Sequence, residues 1–352
     1  MTDKILHALT VPTPELGFGQ YYAPKMLFAK YEKGAWGPLK LQDTQPLSLH
    51  PGARVLHYAQ EIFEGLKAFR AKNGIHLFRP HDNIRRMSLS AEILAMPAFA
   101  ESAFLEGLQT LVRESEKLIP GEPGALYLRP TMIGTSTTLG VAAATEYEFF
   151  VLASPVGGYF GKLPPGQPAS ISLWISPSHV RAFRGGVGKA KTGANYAASL
   201  RGITEGRKLG FNNTLFLDGV SQRFVEELGG MNFLIVEDGV LKTSPLGDTI
   251  LNGVTRNTLM KLAELEKIPV REEAIDVNEM IAGIRAGRIT EAFACGTGAS
   301  VSSIRELGWK GEKIAVEQAS GPGKITCLLY KKLVDIQFGR SEAPVPAWCL
   351  RC

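Results

Sequence analysis

The chain has 352 residues, with 39 basic and 34 acidic side chains, a formal net charge of +5 and 45% hydrophobic residues. This composition is typical of a globular protein with a large core and excludes a disordered chain. The small positive excess forms no block of like charges, so no nucleic-acid partner is expected. Four cysteines exclude a disulfide scaffold. We expect a soluble cytoplasmic protein without a membrane partner, because no signal-peptide core or membrane-length apolar run is present.

The first half of the chain predicts a mixture of strands and helices. Four segments look extended: 26–31, 54–58, 125–128 and 148–153. Two segments have the apolar period of amphipathic helices: 83–96 and 103–118. Asp82 or Asn83 is positioned to cap the first of these helices.

The regular pattern breaks at 156–167, where glycines and the Pro164-Pro165 pair exclude a continuous helix or central strand. We interpret this stretch as an interdomain linker, with a long surface loop inside one domain as the alternative. The resulting map has a smaller N-terminal domain over 1–156, a linker over 157–168 and a larger C-terminal domain over 169–352.

The second half predicts strands and helices in an irregular order. Strands are expected at 171–175, 213–217, 233–236 and 292–295. Helices are expected at 194–209, ending at Gly210, and at 254–266. The Asp218-Gly219 and Asp238-Gly239 pairs indicate turns. The whole chain therefore predicts an α+β fold rather than a strict alternation of strand and helix.

Several common catalytic motifs are missing from the sequence. No Gly-x-Gly-x-x-Gly opens a βαβ unit, which gives little support to a nicotinamide dehydrogenase. No zinc-binding His-Glu-x-x-His and no nucleophile elbow occur, and no metal site is predicted. Gly188-Lys189 does not end a phosphate loop, because Phe183 and Ala190 stand at positions that need Gly and Ser or Thr. A single CxxC, Cys349 to Cys352, is weak evidence for metal or redox chemistry.

The segment RAFRGGVGKAKTGANY, residues 181–196, contains a candidate catalytic lysine. Its three glycines allow close approach of the backbone to a ligand. Lys191 follows them, and lysine forms a Schiff base when its surroundings lower its pKa. A solvated surface lysine is the alternative.

Three further segments have chemistry that suits a bound cofactor. Glu226 and Glu227 precede an apolar strand, where one carboxylate can enter a buried site and pair with a cation such as a protonated pyridine nitrogen. Residues 252–256 begin a helix, whose N-terminus favours an anion. Residues 296–300 form a second turn of small residues with hydroxyl and N–H donors. An exposed acidic turn and ordinary caps or turns are the alternatives.

Taken in order, these segments resemble the fold-type IV pyridoxal-phosphate enzymes, and specifically the branched-chain aminotransferases. The resemblance rests on KTGANY, ELGGMN, LNGVTR and CGTGAS in the second half, and on 58–69, 78–87 and 127–130 in the first. Leu234 departs from it, because the family signature has an aromatic residue there. Ala299 and Ser302 stand where the animal enzymes have a CxxC pair.

The resemblance implies a two-domain enzyme with pyridoxal 5'-phosphate between the domains, held by Lys191, which would also move the proton at the substrate Cα. Glu227 would pair with the pyridine nitrogen, Tyr196 would contact the phenolic oxygen, and Arg86 would bind the phosphate. Further phosphate contacts are implied for Val254, Thr255 and Thr297. Substrate contacts are implied for Phe18, Tyr58, Phe63, Tyr127, Arg129, Val141, Tyr159, Gly298 and Ala299.

The implied reaction is a ping-pong transfer of the amino group of L-leucine, L-isoleucine or L-valine to 2-oxoglutarate. Arg129 would bind the second carboxylate of glutamate or 2-oxoglutarate. A homodimer is also implied, because Val141 lies in a loop that reaches the neighbouring subunit's pocket in this family. A D-amino-acid aminotransferase and the lyase that makes aminobenzoate are alternatives within the fold, and a cofactor-binding protein without catalysis is the alternative outside it.

Overall fold

The computed structural model describes residues 4–159, 166–317 and 321–352. The predicted linker therefore lies partly outside the described residues, and its boundaries stay a prediction.

The described chain forms strands and helices in a mixed order, as the α+β prediction requires. The strands are β1 (Lys25–Glu32), β2 (Ala35–Trp36), β3 (Lys40–Asp43), β4 (Glu61–Phe63), β5 (Leu66–Ala71), β6 (Gly74–Phe78), β7 (Ala125–Gly134), β8 (Tyr147–Val156), β9 (Ala169–Ile175), β10 (Asn213–Leu217), β11 (Val225–Leu228), β12 (Asn232–Glu237), β13 (Val240–Thr243), β14 (Val270–Glu272), β15 (Ile289–Gly296), β16 (Ser300–Trp309), β17 (Glu312–Ala315) and β18 (Cys349–Arg351). The α-helices are α1 (Arg54–Tyr58), α2 (Pro80–Ile93), α3 (Glu101–Glu114), α4 (Gly193–Lys208), α5 (Val254–Leu265), α6 (Val277–Arg285) and α7 (Lys324–Gln337).

The described residues divide into two compact units. The first contains residues 4–159, Ala190–Gly193 and Asp335–Cys352, and the second contains 166–189 and Ala194–Val334. The sequence-based map places both short segments of the first unit in the C-terminal domain. The structure assigns 335–352 to the first unit because β18 adds to its sheet beside β6, where Cys349 faces Phe78.

The first unit is built on an antiparallel sheet with strand order β18-β6-β5-β7-β8-β1-β2. Strands β3 and β4 pair with β1 and β7. Leu126 and Leu128 of β7 join the core together with apolar residues of α2 and α3. Since successive strand residues point to opposite faces, Tyr127 and Arg129 lie on the other face of the same strand. This alternation separates the core of the unit from the face that bears Tyr127 and Arg129, two of the predicted substrate residues.

The second unit contains a mixed sheet whose pairings close into a ring. The order is β11-β10-β9-β16-β15-β12-β13-β14, and β11 also pairs with β12. That last pairing joins Glu227 to Asn232. Helices α5 and α6 both contact β15. Glu227 therefore lies in the short hairpin where the ring closes.

Most of the predicted elements are confirmed. The seven predicted strands other than 54–58 fall within β1, β7, β8, β9, β10, β12 and β15, and the four predicted helices overlap α2, α3, α4 and α5. Gly210 has a φ of +88°, the left-handed conformation in which a glycine ends a helix. Asp238 and Gly239 both have positive φ, as a type I′ hairpin turn requires.

Two local predictions are wrong. Residues 54–58 form the single-turn helix α1 instead of a strand, and the turn ends at Ala59 in the left-handed conformation. Neither Asp82 nor Asn83 caps α2, because the helix begins earlier, with Arg79 as N-cap and proline in its first turn. Asp82 instead accepts a hydrogen bond from Arg79 at 2.8 Å.

Candidate active site

The predicted catalytic lysine lies in the segment Ala190–Gly193 of the first unit. Its backbone N–H donates to Ser90 Oγ at 2.9 Å, and its carbonyl accepts from the N–H of Phe63 at 2.9 Å. Two residues later, the N–H of Gly193 donates to Glu61 Oε2 at 2.7 Å. The backbone on both sides of the Lys191 side chain is therefore fixed to β4 and α2.

The lysine amine lies beside an aromatic ring that it shares with an arginine. Lys191 Nζ is 4.7 Å from the centroid of the Phe63 ring, and Arg129 Cζ is 4.7 Å from the same centroid. Arg129 also donates to the Tyr127 hydroxyl, from Nη2 at 2.9 Å. Cations over an aromatic face are attracted by its quadrupole. The ring of Phe63 thus holds both cations in one neighbourhood.

Two more predicted substrate residues extend this group. The Phe18 ring packs edge-on against Tyr127 at 4.7 Å and against Tyr159 at 5.0 Å between centroids. We call the four rings, Phe18, Phe63, Tyr127 and Tyr159, the aromatic cluster. The structure thereby connects four of the predicted substrate residues with Arg129 and Lys191.

Tyr58 and Val141 have different surroundings. The Tyr58 hydroxyl donates to the carbonyl of Leu139, and Arg54 donates to the carbonyls of Gly140 and Ala142. Val141 is 86% exposed in the same loop. These contacts tie Tyr58 to the loop that carries Val141 rather than to the aromatic cluster.

Arg86, the predicted phosphate ligand, forms a two-pronged ion pair with Glu64. Its Nε and Nη2 lie 2.6 Å and 2.9 Å from the two carboxylate oxygens, and both side chains are buried. Such fork-shaped pairs fix the guanidinium plane. The pair orients Arg86, while its contact with a phosphate stays a prediction.

Glu61 is a site residue that the sequence reasoning missed. Burial raises the pKa of its carboxyl, while the Gly193 N–H and the positive charges of Arg129 and Lys191 oppose that rise. A Cβ on Gly193 would lie 2.7 Å from Glu61 Oε2, so a larger residue at 193 would displace this carboxylate. The available signal was a carboxylate two residues before Phe63 in a strand, which places both side chains on one face.

In the second unit, Glu227 is a buried carboxylate held by several partners. Arg181 Nη1 lies 2.7 Å from its Oε1, the Leu251 N–H donates to Oε1 at 2.9 Å, and Asn232 Nδ2 donates to Oε2 at 3.1 Å. Arg181 is equally buried and also donates to the Thr249 carbonyl. The alternative of an exposed acidic turn is wrong, because Glu227 belongs to β11 and is 2% exposed.

The predicted phosphate-binding helix is α5, which begins at Val254 with Gly253 as its N-cap. A Cβ on Gly253 would lie 1.9 Å from Asn232 Oδ1, so a larger residue at 253 would displace the buried Asn232 side chain. Asn232 in turn donates to the Leu251 carbonyl at 2.9 Å. Val254 and Thr255 are buried, and the first turn has no acidic residue. The buried carboxylate of Glu227 and the start of α5 are therefore joined through Leu251.

Tyr196 and the turn after β15 approach each other through glycines. A Cβ on Gly230 would lie 3.1 Å from Tyr196 Cε1, and one on Gly296 would lie 3.4 Å from the Gly230 carbonyl. The predicted contact residues Thr297, Gly298 and Ala299 follow in the turn between β15 and β16 and are partly exposed. The second unit thus brings Tyr196 next to this turn by way of two glycines.

The C-terminal cysteines show no metal or redox arrangement. Burial raises the pKa of both Cys349 and Cys352 to about 11, so the reactive thiolate is scarce at neutral pH. Within 4–159, 166–317 and 321–352, no group of three or more His, Cys, Asp or Glu side chains can hold a metal ion. Over the same ranges, no helix has the length and apolar character to cross a bilayer.

Comparisons with known proteins show the family to which the chain belongs. The family model of amino-transferase class IV matches residues 61–307. The chain is 40% identical over 349 residues to branched-chain-amino-acid transaminase 1 of Bacillus subtilis, covering 97% of this chain and 96% of that protein. It is 39% identical to a probable branched-chain-amino-acid aminotransferase of Staphylococcus epidermidis, covering 94% and 92% of the two chains. A solved structure of the branched-chain amino acid aminotransferase of Thermobaculum terrenum in its PLP form matches with a TM-score of 0.72 at 22% identity, covering 92% of this chain and 97% of that one. This last likeness shows the fold.

Proposed function

The chain belongs to the class IV aminotransferases, and from this membership we propose that it is a pyridoxal-phosphate-dependent branched-chain amino-acid aminotransferase. It would move the amino group of L-leucine, L-isoleucine or L-valine to 2-oxoglutarate. The observation that carries the proposal is the position of Lys191. Hydrogen bonds fix its backbone to Ser90 and Phe63, and its amine and the Arg129 guanidinium both lie beside the Phe63 ring.

The second unit fits this cofactor on structural grounds. Glu227 is a buried carboxylate suited to a protonated ring nitrogen, and the N-terminus of α5 offers N–H donors and a favourable dipole to a phosphate. The Leu251 N–H, three residues before α5 begins, donates to Glu227, so a hydrogen bond connects the two groups. Bound pyridoxal phosphate would supply a carbonyl for amines and an electron sink for the substrate Cα.

Lys191 would bind the cofactor covalently and, when its amine is released, would take the proton from the substrate Cα and return it. Its backbone is held at N–H and carbonyl by Ser90 and Phe63, so the motion is confined to the side chain. A base held in this manner gains from proximity, which makes the proton transfer effectively unimolecular. Arg86 would contact the phosphate, with its guanidinium oriented by Glu64.

The first unit also supports the use of two different amino-group carriers. The aromatic cluster offers apolar walls to a branched aliphatic side chain. Arg129, oriented by the Tyr127 hydroxyl, would bind the second carboxylate of glutamate or 2-oxoglutarate. The exposed Val141 would complete the pocket of a second copy of the chain, and a homodimer is part of the proposal.

Absorbance of the purified protein, after incubation with pyridoxal phosphate, tests the proposal. We expect a band at about 410 nm that shifts to about 330 nm on addition of L-leucine, as the amino group passes to the cofactor. Lys191→Ala should abolish turnover. The matched control is Lys189→Ala, which removes a half-exposed lysine paired with Asp248 and should leave turnover intact.

Three results would contradict the proposal. If no absorbance band appears after incubation, the protein does not bind pyridoxal phosphate and the proposal is wrong. A band that responds to D-alanine but not to L-leucine would move the chain to the D-amino-acid aminotransferases. If Lys191→Ala turns over substrate at the ordinary rate, Lys191 is not the residue that transfers the proton.

A further inference from the structure

One buried arginine binds the exposed loop that joins β7 to β8. Residues 137–143 of this loop are all exposed, whereas Arg54 of α1 is only 6% exposed. Arg54 Nη1 donates to the Gly140 carbonyl at 2.6 Å and also to the Ala142 carbonyl, and Nη2 donates to the Thr138 hydroxyl. A single guanidinium therefore binds the loop at three alternate positions.

These bonds fix the backbone on both sides of Val141. Gly140 and Ala142 are its two neighbours in the chain, and the same nitrogen of Arg54 binds both of their carbonyls. The Val141 side chain is 86% exposed. Hydrogen bonds from an ionised donor are about twice as strong as those between neutral groups. Arg54 thus holds the two carbonyls that flank Val141 while the valine side chain stays exposed.

The shape of the arginine side chain suits this task. A guanidinium carries its donors on a rigid planar fork, so two of its nitrogens can bind different parts of a loop at once. A lysine would present one nitrogen only. The rest of α1 borders the same loop, because the Arg54 N–H donates to the Ser136 carbonyl at 3.1 Å and the Tyr58 hydroxyl donates to the Leu139 carbonyl.

We propose that Arg54 is a positioning residue for the substrate pocket: it fixes the loop so that Val141 is held ready to complete the pocket of a second copy of this chain. This rests on the proposed function, in which Val141 contributes to that pocket. If the loop is not fixed in advance, substrate binding must order it, and the lost conformational freedom weakens binding.

The first measurement is the rate at which chymotrypsin cuts the holoenzyme after Leu139, followed by the mass of the fragments. Leu139 is 65% exposed, so the fixed backbone rather than burial protects this bond. Cleavage follows the population of the open loop. Because hydrogen bonds to a charged group are stronger than neutral ones, we expect Arg54→Met to be cut about tenfold faster than the wild type. The freed carbonyls lie in an exposed loop where water reaches them, so this variant should fold.

Two other variants accompany this measurement. Arg113→Met is the matched control, because Arg113 is an exposed arginine of α3 that donates to Thr110 of the same helix. Its cleavage rate and its kinetics should equal those of the wild type. Arg54→Lys keeps the charge on a single nitrogen, so it should shift both in the same direction as Arg54→Met but less. The lysine variant carries the same test if Arg54→Met does not fold.

The second measurement is the steady-state kinetics with L-leucine. Ordering of the loop affects substrate and transition state alike, so Arg54→Met should raise KM about threefold to tenfold and leave kcat near the wild-type value. A purely structural defect would instead lower the active fraction, and hence kcat, at an unchanged KM. Since Arg54 acts through Val141, adding Arg54→Met to Val141→Ala should raise KM by a smaller factor than in the wild type.

Failure of this proposal is distinguishable from failure of the proposed function. A wild type that does not turn over L-leucine overturns the proposed function, whatever the cleavage rates. In an active wild type, equal cleavage rates for Arg54→Met and Arg113→Met show that Arg54 does not fix the loop. Faster cleavage with an unchanged KM, or an equal rise in KM with and without Val141→Ala, shows that Arg54 does not position Val141 for the pocket.

Discussion

Replacement of Arg181 by methionine should destabilise the protein strongly. The guanidinium and the Glu227 carboxylate have side-chain exposures of 1% and 3%, and their charged atoms are 2.7 Å apart. Removing one partner of a buried ion pair costs about 3–5 kcal/mol, because the other charge stays buried without compensation. Glu227 keeps hydrogen bonds from Leu251 and Asn232, so we expect about 3 kcal/mol, the lower end of that range.

The measurement is the free energy of unfolding in urea, compared with a matched variant. Arg201→Met removes an exposed arginine of α4 that pairs with Glu205 four residues later, and it should cost under about 0.5 kcal/mol. The double variant Arg181→Met/Glu227→Gln should be more stable than Arg181→Met alone, because no uncompensated charge remains. If the free energy of unfolding of Arg181→Met lies within about 1 kcal/mol of that of Arg201→Met, the buried ion pair does not stabilise the unit as expected.

Two other predictions concern the same unit. Gly188→Ala should destabilise by about 1–3 kcal/mol, because its Cβ would lie 2.5 Å from the Asp248 carbonyl oxygen; Gly247→Ala, with no atom within 4 Å, should unfold like the wild type in the same urea assay. Burial opposes ionisation of Asp218, but backbone N–H donors outweigh it and lower its pKa to about 2. The unfolded chain, with a pKa near 3.8, binds more protons below about pH 4. The free energy of unfolding should therefore fall from about pH 4 toward pH 2. If this fall is no steeper in the wild type than in Asp218→Asn, the prediction is wrong.

The sequence predicted elements well where local pattern controls them. Gly210 ends α4, and the Asp238-Gly239 pair makes its turn, because positive φ is encoded by the residues themselves. The prediction of a strand at 54–58, where α1 forms, was wrong because distant contacts control this segment. The segment 54–58 has an extended-looking composition, but Arg54 bonds carbonyls of the loop at 140–142, some 86 residues away. A single turn fixed by such distant contacts leaves no periodic signal.

The candidate site shows the same division. Lys191 and Glu227 stand in short motifs whose order along the chain resembles a family, so the sequence alone indicates them. Their supporting partners lie at unrelated positions: Glu61 meets Gly193 across 132 residues. Arg181 is a basic residue near the lysine in sequence, but only the fold pairs it with Glu227. Side-chain pairing over long separations depends on strand register, which composition and spacing do not encode.

Under the proposed function, the groups around the Phe63 ring would favour both an apolar and an acidic substrate. Arg129 places a guanidinium beside this ring, and the Lys191 amine lies beside the same ring. The aromatic cluster walls the same neighbourhood. The second carboxylate of an acidic substrate would gain from Arg129. An aliphatic side chain would gain from the rings and lose little, since it has no charge to desolvate.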